Sequence, residues 1–581
     1  MFRTFDHFNV KTVDKPYISA LGTQYEQTAI ISFYDSANHL LSTRDFGVAN
    51  IDKIYNEIEQ ERIIVLDEAY IQNFSITAWR RLNLIDKNEF VAIKKIIAND
   101  AFFNVFNNVD FSYIALEACE TNFNNSVFYG GDLSFSHSVF SDVDADFSYI
   151  THRKGGLVFN SAKFTGGGLS FKNSIFCHGE KNFQYAKFEH SYLDFTNCEF
   201  NDGDINMVDT RFTGGLSFKV ARIGKGNVNF QFARFTTKEV SFDRVVFGEG
   251  NIDFRTTEFE NVKANFNRSI AGNGSWDFSG CEANDGKLTF KKVLFGSGTV
   301  DFSEVIFNRT DLNFSRAETQ EALIKLENAR LHNVDFSYCF FNRYLNFRLH
   351  SAQRIDFKNA IVRDILDLNL PKEGQPVPML NFTDMSLPGL LYIDWKRNRV
   401  EQAIYNQNSL TSDYEKATQF LMLKENFNTN GQYESEDLAY VEYRRCIARS
   451  RLSNNGGGIN QKVLRGFLYG LDRVLLDYTG LYGTSPTRVF TTMIMVYVLF
   501  SLGYLAIILG GSGDIVVSVG AQYDLSLWSK SFYHSAITML TIGYGDHFPV
   551  GIARGLSAVQ GFIGMLLLSY FTVSLVHKIL R

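Results

Sequence analysis

ADFSYI at 145–150, LDFTNCEF at 193–200 and VDFSEVIF at 300–307 are copies of one short pattern, and that pattern decides the fold of the middle of this chain. Working outward, its first Phe recurs every twelve residues at Phe111, Phe123, Phe135, Phe147, Phe159, Phe171, Phe183 and Phe195. Met207 takes the next slot and one residue is dropped. The series then resumes from Phe218 through Phe230, Phe242, Phe254, Phe266, Phe278, Phe290 and Phe302 to Phe314. A fixed short period of this kind marks a solenoid. Two residues before each Phe stands an apolar residue, as at Leu133, Ala145, Leu157, Leu193, Val228 and Leu312, which is the alternation of a short strand. Three residues after it the slot is small, as at Ser138, Ala162, Ser174, Cys198 and Cys281. Five residues after it comes a second Phe, as at Phe140, Phe164, Phe188, Phe212 and Phe235. Eight residues after it Gly is frequent, as at Gly131, Gly155, Gly179, Gly203, Gly250 and Gly298, and the expectation is that Gly there supplies a corner conformation other residues resist.

The unit "x-x-D-F-S-x-A-x-F" resembles the pentapeptide-repeat family over about residues 101–370. The resemblance implies a right-handed, four-faced β-solenoid with Phe stacked inside it, two twelve-residue units to each coil. From 111 to 314 that makes about eight coils and a rod of about 40 Å at one strand spacing per coil. Beyond 314 the register loosens but persists at Phe336, Phe347 and Phe357, with Leu368 a weaker member. Cys198, Cys281 and Cys339 fall in the small inward slot and read as core packing. Some members of this family are thought to mimic DNA, which needs a strongly acidic surface. Here acid and base interleave, as in RTTEFENVKANFNR at 255–268, so no nucleic-acid partner is expected. The solenoid reads as a rigid scaffold or as the platform for an unidentified cytoplasmic ligand or protein.

The chain has 581 residues, 45% of them hydrophobic, and a formal net charge of −6, which excludes a highly basic nucleic-acid binder and a disordered chain. Its mean hydropathy of −0.11 leaves room for only one or two membrane spans. The 6 Cys show no metal-ligand spacing and the 11 His are scattered. With no nucleophile–base, phosphate-loop or metal constellation, the chain does not read as an enzyme, and no cofactor is expected. The N-terminus, MFRTFDHFNVKTVDK, has no apolar signal region.

Residues 1–100 lack the repeat and read as a solenoid cap or a sensing region. Within them TAIISFYDSANHLLSTRDF reads as a hairpin about Ser36-Ala37-Asn38, and DKNEFVAIKKIIAND as a helix. The solenoid domain is bounded at 101–400 and a helical hairpin at 401–452. Ser412 to Glu415 is a capping box opening its first helix, Asn-Thr-Asn-Gly431 closes that helix, and a second runs roughly from Glu434 to Arg451. Residues 453–487 begin with the slack linker SNNGGGIN and continue as an amphipathic helix. Its apolar face carries Leu464, Phe467, Leu468, Leu471, Val474, Leu475 and Tyr478, and it lies in the membrane interface or packs on the hairpin.

Residues 488–581 are different again. Val489–Gly510 and Gly555–Val576 are two charge-free stretches, each long enough to cross the hydrocarbon layer. A shorter apolar stretch, SFYHSAITML at 531–540, leads into Thr541-Ile542-Gly543-Tyr544-Gly545-Asp546, with Thr538 before it and Phe548-Pro549 after. This resembles the signature of two-span bacterial potassium channels of inward-rectifier-like topology. The resemblance implies a two-helix transmembrane pore domain: first span 489–510, re-entrant pore helix 529–540, filter 541–546 and second span 555–576. The backbone carbonyls of Thr541, Ile542, Gly543 and Tyr544 would replace the hydration shell of K+, the permeant ion, and the Thr541 hydroxyl would add the innermost ring. Gly543 and Gly545 would permit the unusual dihedrals that aim successive carbonyls one way.

Thr538 and Tyr533 are the filter-supporting positions, with Tyr533 or His534 placed to brace Asp546. Ile537 stands where some bacterial channels carry a carboxylate. Gly561 and Gly564 in the second span read as a gating hinge or as sites of close helix packing. One chain offers one filter loop, so a closed pore requires a homotetramer in membrane lipid.

Arg488 abuts the first span and His577, Lys578 and Arg581 follow the second, whereas the segment between the spans carries Asp514, Asp524 and Asp546 against Lys530 and Arg554. Positive flanks belong inside, which places both termini and residues 1–486 on the cytoplasmic side of the cell membrane. With the chain ending at Arg581, regulation is expected from its N-terminal side. The function read from the sequence is a potassium-selective channel with a large cytoplasmic solenoid of scaffold or regulatory role. The alternative is a membrane-anchored solenoid scaffold with a vestigial pore.

Overall fold

The computed structural model of the chain describes residues 5–407, 410–453, 459–518 and 525–580, in two compact units, Met1–Gln407 and Asn408–Arg581. In the first unit a parallel β-solenoid is built from coils of four short strands. One coil uses Leu133–Ser134, the two ends of Val139–Asp146, and Thr151–His152. Each strand pairs with its equivalent one coil on: Leu133 faces Leu157, Phe140 faces Phe164, Ala145 faces Leu169 and Thr151 faces Ile175. The residue dropped after Met207 is absorbed without loss of register, since Leu193 faces Leu216 and Ile205 faces Val228. One face stacks 13 strands and ends with Leu390–Tyr392, so the rod outlasts the regular Phe series.

The inward face explains why the pattern is so strict. Phe111, Phe135, Phe159 and Phe183 form one column with ring centroids 4.9, 5.1 and 5.3 Å apart. A second column runs Phe242, Phe266, Phe290, Phe314 at 4.8 Å per step. The two columns meet edge to face, as Phe266 does with Phe278 at 88°. Both arrangements are favoured by the ring quadrupole, and every one of these rings is fully buried. The small slot carries polar atoms without penalty. Ser138 Oγ and Ser174 Oγ donate to the carbonyls of Phe111 and Phe147 one coil back, both at 3.0 Å. Cys198, Cys281 and Cys339 do the same with their thiols toward Phe171, Phe254 and Phe314. Burial raises the Cys281 and Cys339 thiols above the ordinary range, so these cysteines are core groups.

Two expectations are corrected here. The left-handed corner lies two residues after the Phe, mostly at non-glycine residues such as Tyr149 (φ 64°), Tyr185 (φ 61°), Phe232 (φ 58°) and Arg244 (φ 57°), with a glycine at Gly280 (φ 66°). The periodic Gly has positive φ in the early coils, at Gly131, Gly155, Gly179 and Gly203, but Gly226, Gly250, Gly274 and Gly298 do not. There the requirement is close approach. A Cβ on Gly250 would run into the Gly226 carbonyl, one on Gly274 into that of Gly250, and one on Gly298 into that of Gly274. The stretch DKNEFVAIKKIIAND is a strand, Val91–Ile97, with Val91, Ile93, Ile96 and Ile97 buried, paired on both sides. β-Branched side chains fit that two-sided ladder better than a helix surface.

The strands Thr28–Tyr34 and Leu40–Val48 form an antiparallel hairpin about residues 35–39, and this sheet joins the solenoid through Ala69–Ile71. Phe5, Phe33, Phe46 and Tyr70 close on Phe102 in one buried cluster. Helix α1, Ile51–Glu61, starts where Asn50 accepts from the Lys53 N–H and buries Ile54 and Ile58. Two shorter helices, α2 (Ile76–Leu82) and α3 (Val400–Tyr405), complete the unit.

The second unit is helical. Ser412 and Glu415 form a reciprocal capping box at the start of α4, Asp413–Thr429, and α5 follows as Tyr433–Ser453. The Gly456–Gly458 linker lies outside the described residues. Helix α6, Ile459–Asp472, widens into a π-helical turn at Arg473–Tyr478 and leaves Leu464, Phe467, Leu468, Val474 and Tyr478 exposed. Then come α7 (Pro486–Leu509), α8 (Leu527–Met539) and α9 (Ala553–Ile579). Helices α7 and α9 are long and apolar enough to cross a membrane, and α8 packs between them.

Candidate ion-conducting site

Helix α8 begins where Ser526 Oγ accepts from the Ser529 N–H, and ends at Met539. The chain then turns at once. The Thr541 N–H bonds the Thr538 carbonyl at 3.2 Å and the Ile542 N–H bonds the Ile537 carbonyl at 2.9 Å, so the next segment hangs from the last turn of α8. Along it every second residue is left-handed: Thr541 at φ 54°, Gly543 at 60° and Gly545 at 74°. A Cβ on Gly543 or Gly545 would meet nothing within 4 Å, so conformation, not space, is what calls for glycine. Ile542 and Tyr544 are exposed in the single protomer.

An antiparallel ribbon, Gly513–Val517 with His547–Gly551, holds the far end of the segment. Asp546 stands at that end. It accepts from Tyr533 Oη at 2.8 Å and lies 3.2 Å from His547 Nδ1. Of the two bracing residues considered, Tyr533 therefore reaches Asp546. His534 does not: its Nε2 lies 3.2 Å from Ser557 Oγ and 3.4 Å from Thr538 Oγ1. Ile537 is buried. Gly564 packs so closely on the end of α8 that a Cβ would strike the Met539 carbonyl, whereas one on Gly561 would make only ordinary contact with Thr538. Helix α9 passes both glycines unbroken. His547 and Gln560 escaped the reading of the sequence. The available signal for Gln560 was a single amide inside an apolar span.

The other end of α9 is tied to the hairpin. Lys578 Nζ lies 2.7 Å from Asp437 Oδ2 and His577 Nε2 3.7 Å from Asp437 Oδ1. Tyr570 Oη donates to the Leu476 carbonyl at 3.0 Å. Arg445 donates to both Asp477 oxygens at 2.8 and 3.0 Å and to Glu442 at 2.7 Å. Burial alone would lower the Arg445 guanidinium, but these carboxylates prevail and hold it above its ordinary value. Arg444 stacks over Tyr482 at 5.1 Å. Helix α5, the π-turn and the foot of α9 are therefore one bonded cluster.

Residues 492–581 match the model of a family described as an ion channel, so the chain carries an ion-channel domain at its C-terminal end and is a membrane protein. No curated protein and no solved structure matches the chain.

Proposed function

We propose that this chain is one subunit of a potassium-selective channel, a homotetramer in the cell membrane, carrying a solenoid of the pentapeptide-repeat kind on the cytoplasmic side. The observation that carries the reading is the alternation of left-handed residues at Thr541, Gly543 and Gly545 between a pore helix and an outer ribbon. A chain that alternates in this way turns successive carbonyls to the same side. Four such segments about one axis make rings of carbonyl oxygens from Thr541, Ile542, Gly543 and Tyr544. A K+ ion that sheds its water there exchanges one oxygen shell for another. Unpaired backbone at membrane depth is tolerated where it lines a hydrated path. The negative end of the α8 dipole adds to the preference for a cation. Asp546, held by Tyr533 and His547, keeps a carboxylate at the mouth. In this reading K+ is cargo and no resident cofactor takes part.

The hairpin and the α6 segment set the open probability, because Asp437 grips Lys578 at the foot of α9. The solenoid serves as support or as ligand platform. The rival, a membrane-anchored scaffold with a vestigial pore, conducts nothing. Recording the purified chain in planar bilayers separates the two. A reversal potential that follows the K+ gradient and ignores Na+ supports the channel; equal permeation of both ions, or none of either, overturns it.

A further inference from the structure

The second span carries one amide side chain, Gln560, and it is wholly buried. Its Nε2 donates to the Ser535 carbonyl at 3.0 Å and to Ser535 Oγ at 2.6 Å. Its Oε1 accepts from Tyr504 Oη at 2.8 Å. Ser535 Oγ in turn donates to the Tyr497 carbonyl at 3.1 Å. A single side chain of α9 thus bonds the pore helix α8 and the first span α7 together. Both N–H groups and the oxygen of the amide are used, which a buried amide in an apolar surrounding requires.

The neighbours of Gln560 on the same helical face extend the contact. Ser557 reaches His534, Gly561 lies by Thr538, and Gly564 lies against Met539. Residues 557, 560, 561 and 564 share one side of a helix, so this is a continuous seam down α8. The seam ends where the Thr541 and Ile542 N–H groups hang from the carbonyls of Thr538 and Ile537. Any slide or rotation of α8 against α9 is therefore carried directly into the first residues of the filter.

We propose that Gln560 is a positioning residue for ion selection: by bonding Ser535 and Tyr504 at once it sets the height and rotation of the pore helix, and so the placement of the filter. It does not touch the permeant ion. The inference rests on the potassium-channel reading above. It explains how a pore helix with Ile537 in place of a carboxylate is nonetheless held by polar bonds, which come from the second span instead.

The chemistry of the side chain yields a graded test in bilayers with the full chain. Gln560→Leu removes donor and acceptor together, and the K+ to Na+ permeability ratio is expected to fall at least tenfold. Tyr504→Phe removes the bond to Gln560 Oε1 and leaves both Nε2 bonds, and is expected to lower it two- to threefold. Gln560→Glu keeps the shape and donates only while protonated. Its ratio is expected to stay near wild type at pH 5 and collapse as the bath is raised to pH 9. Wild type and Gln560→Leu, run over the same range, report the background from Tyr497, Tyr504, His534 and His547. A merely structural role would not produce a selectivity that returns with a proton.

If Gln560→Leu fails to insert, Gln560→Glu and Tyr504→Phe decide alone, since both preserve volume. Variants that conduct with wild-type selectivity at every pH overturn the inference while leaving the channel reading intact. A wild-type chain that passes K+ and Na+ equally overturns both.

Discussion

The solenoid and the 541–545 segment proposed as the filter both bend the backbone into the left-handed region at regular intervals, the solenoid corners mostly with side-chain-bearing residues and the segment mostly with glycine. In the solenoid the corner falls on Tyr149, Tyr185, Phe232 or Arg244. In the proposed filter it falls on Thr541 and then on two glycines. A non-glycine residue there costs roughly 1–2 kcal/mol. The solenoid offsets this locally, because each corner N–H bonds the next coil: Tyr149 to the Lys172 carbonyl at 2.8 Å, Tyr185 to Val208 at 3.0 Å, Arg244 to Asn267 at 2.9 Å. Stacked rings beneath add to the compensation. In the proposed filter the carbonyls face the permeant ion and no neighbouring coil is there to bond, so the conformational cost is kept low by glycine at two of the three left-handed positions. Repetition lets the solenoid tolerate at coil after coil a strain that the 541–545 segment takes on one side chain, Thr541, whose N–H bonds the Thr538 carbonyl.

The sharpest way to break this comparison is a matched pair. Gly545→Ala is expected to abolish K+ conduction outright, because the added Cβ opposes a φ of 74° even though it meets no neighbour. Tyr149→Ala, at a φ of 64° in a solenoid corner, is expected to leave the fold intact and cost less than about 1 kcal/mol. Conductance and thermal unfolding read the two. A conducting Gly545→Ala would show that position 545, like Thr541 and the solenoid corners, can absorb a left-handed side chain.

Next in size is the direction of the solenoid core. Phe183 is fully buried and stacked on Phe159, and Lys187 four residues on is exposed. Phe183→Asp is expected to unfold or aggregate the first unit, since an unpaired charge placed there costs several kcal/mol. Lys187→Asp is expected to change its stability by no more than about 0.5 kcal/mol. Circular dichroism and size-exclusion chromatography of the two variants check this, and equal damage from both would contradict the assigned inward face.

A smaller effect concerns the proposed control of the pore by the hairpin and α6. Leu471→Asp puts a carboxylate on the apolar face of α6, and Asp437→Ala removes the grip on Lys578. Each is expected to change open probability about tenfold, or about 1.4 kcal/mol. Adding several glycines to the Gly456–Gly458 linker is expected to change it little. Single-channel recording decides. A linker insertion that removes regulation while the other two leave it untouched would mean that force travels along the covalent chain.

How much of this could be read from sequence depends on whether the determinant is periodic. The Phe columns could be, because a coil of four faces repeats its demands at each turn. The six residues at 541–546 could be singled out because they are contiguous. The periodic Gly was open to two physical meanings, left-handed φ and close approach, and its spacing does not separate them; at Gly250 and Gly274 only the second applies. Val91–Ile97 was misread because its paired lysines imitate an exposed helix face, whereas the strand is defined by partners at Ile63–Val65 and Ile114–Asn122. Gln560 lay out of reach because its meaning resides in Ser535 and Tyr504, 25 and 56 residues away.

Buried polar groups carry the comparison to its smallest test. In the pore unit Gln560 is fully bonded. In the solenoid two titratable residues, Lys181 and His152, interrupt the apolar columns at neighbouring positions, and they are not equally satisfied. Lys181 takes the place held by Leu157 before it and Ile205 after it, and His152 the place held by Phe128 and Phe176. Lys181 Nζ donates to the Asp202 carbonyl at 2.6 Å, but His152 Nε2 has no partner among the described residues. Burial lowers Lys181 from 10.5 to about 8, and burial together with the nearby Lys181 charge lowers His152 from 6.5 to about 3. Both folded values lie below the unfolded ones, so the folded chain binds fewer protons than the unfolded chain. Stability must then rise with pH across two windows, from about 3 to 6.5 for His152 and from about 8 to 10.5 for Lys181. Lys181→Leu restores the column. It is expected to stabilise the first unit by about 1–2 kcal/mol at pH 7, the desolvation relieved exceeding the one hydrogen bond lost to Asp202. Hydrogen exchange at the coil amides of the full chain, compared between wild type and variant at pH 7 and pH 10, measures it. The variant's advantage should shrink at pH 10, where the wild-type lysine is neutral in the fold. An advantage that is constant with pH would mean that Lys181 acts through its shape and not through its charge.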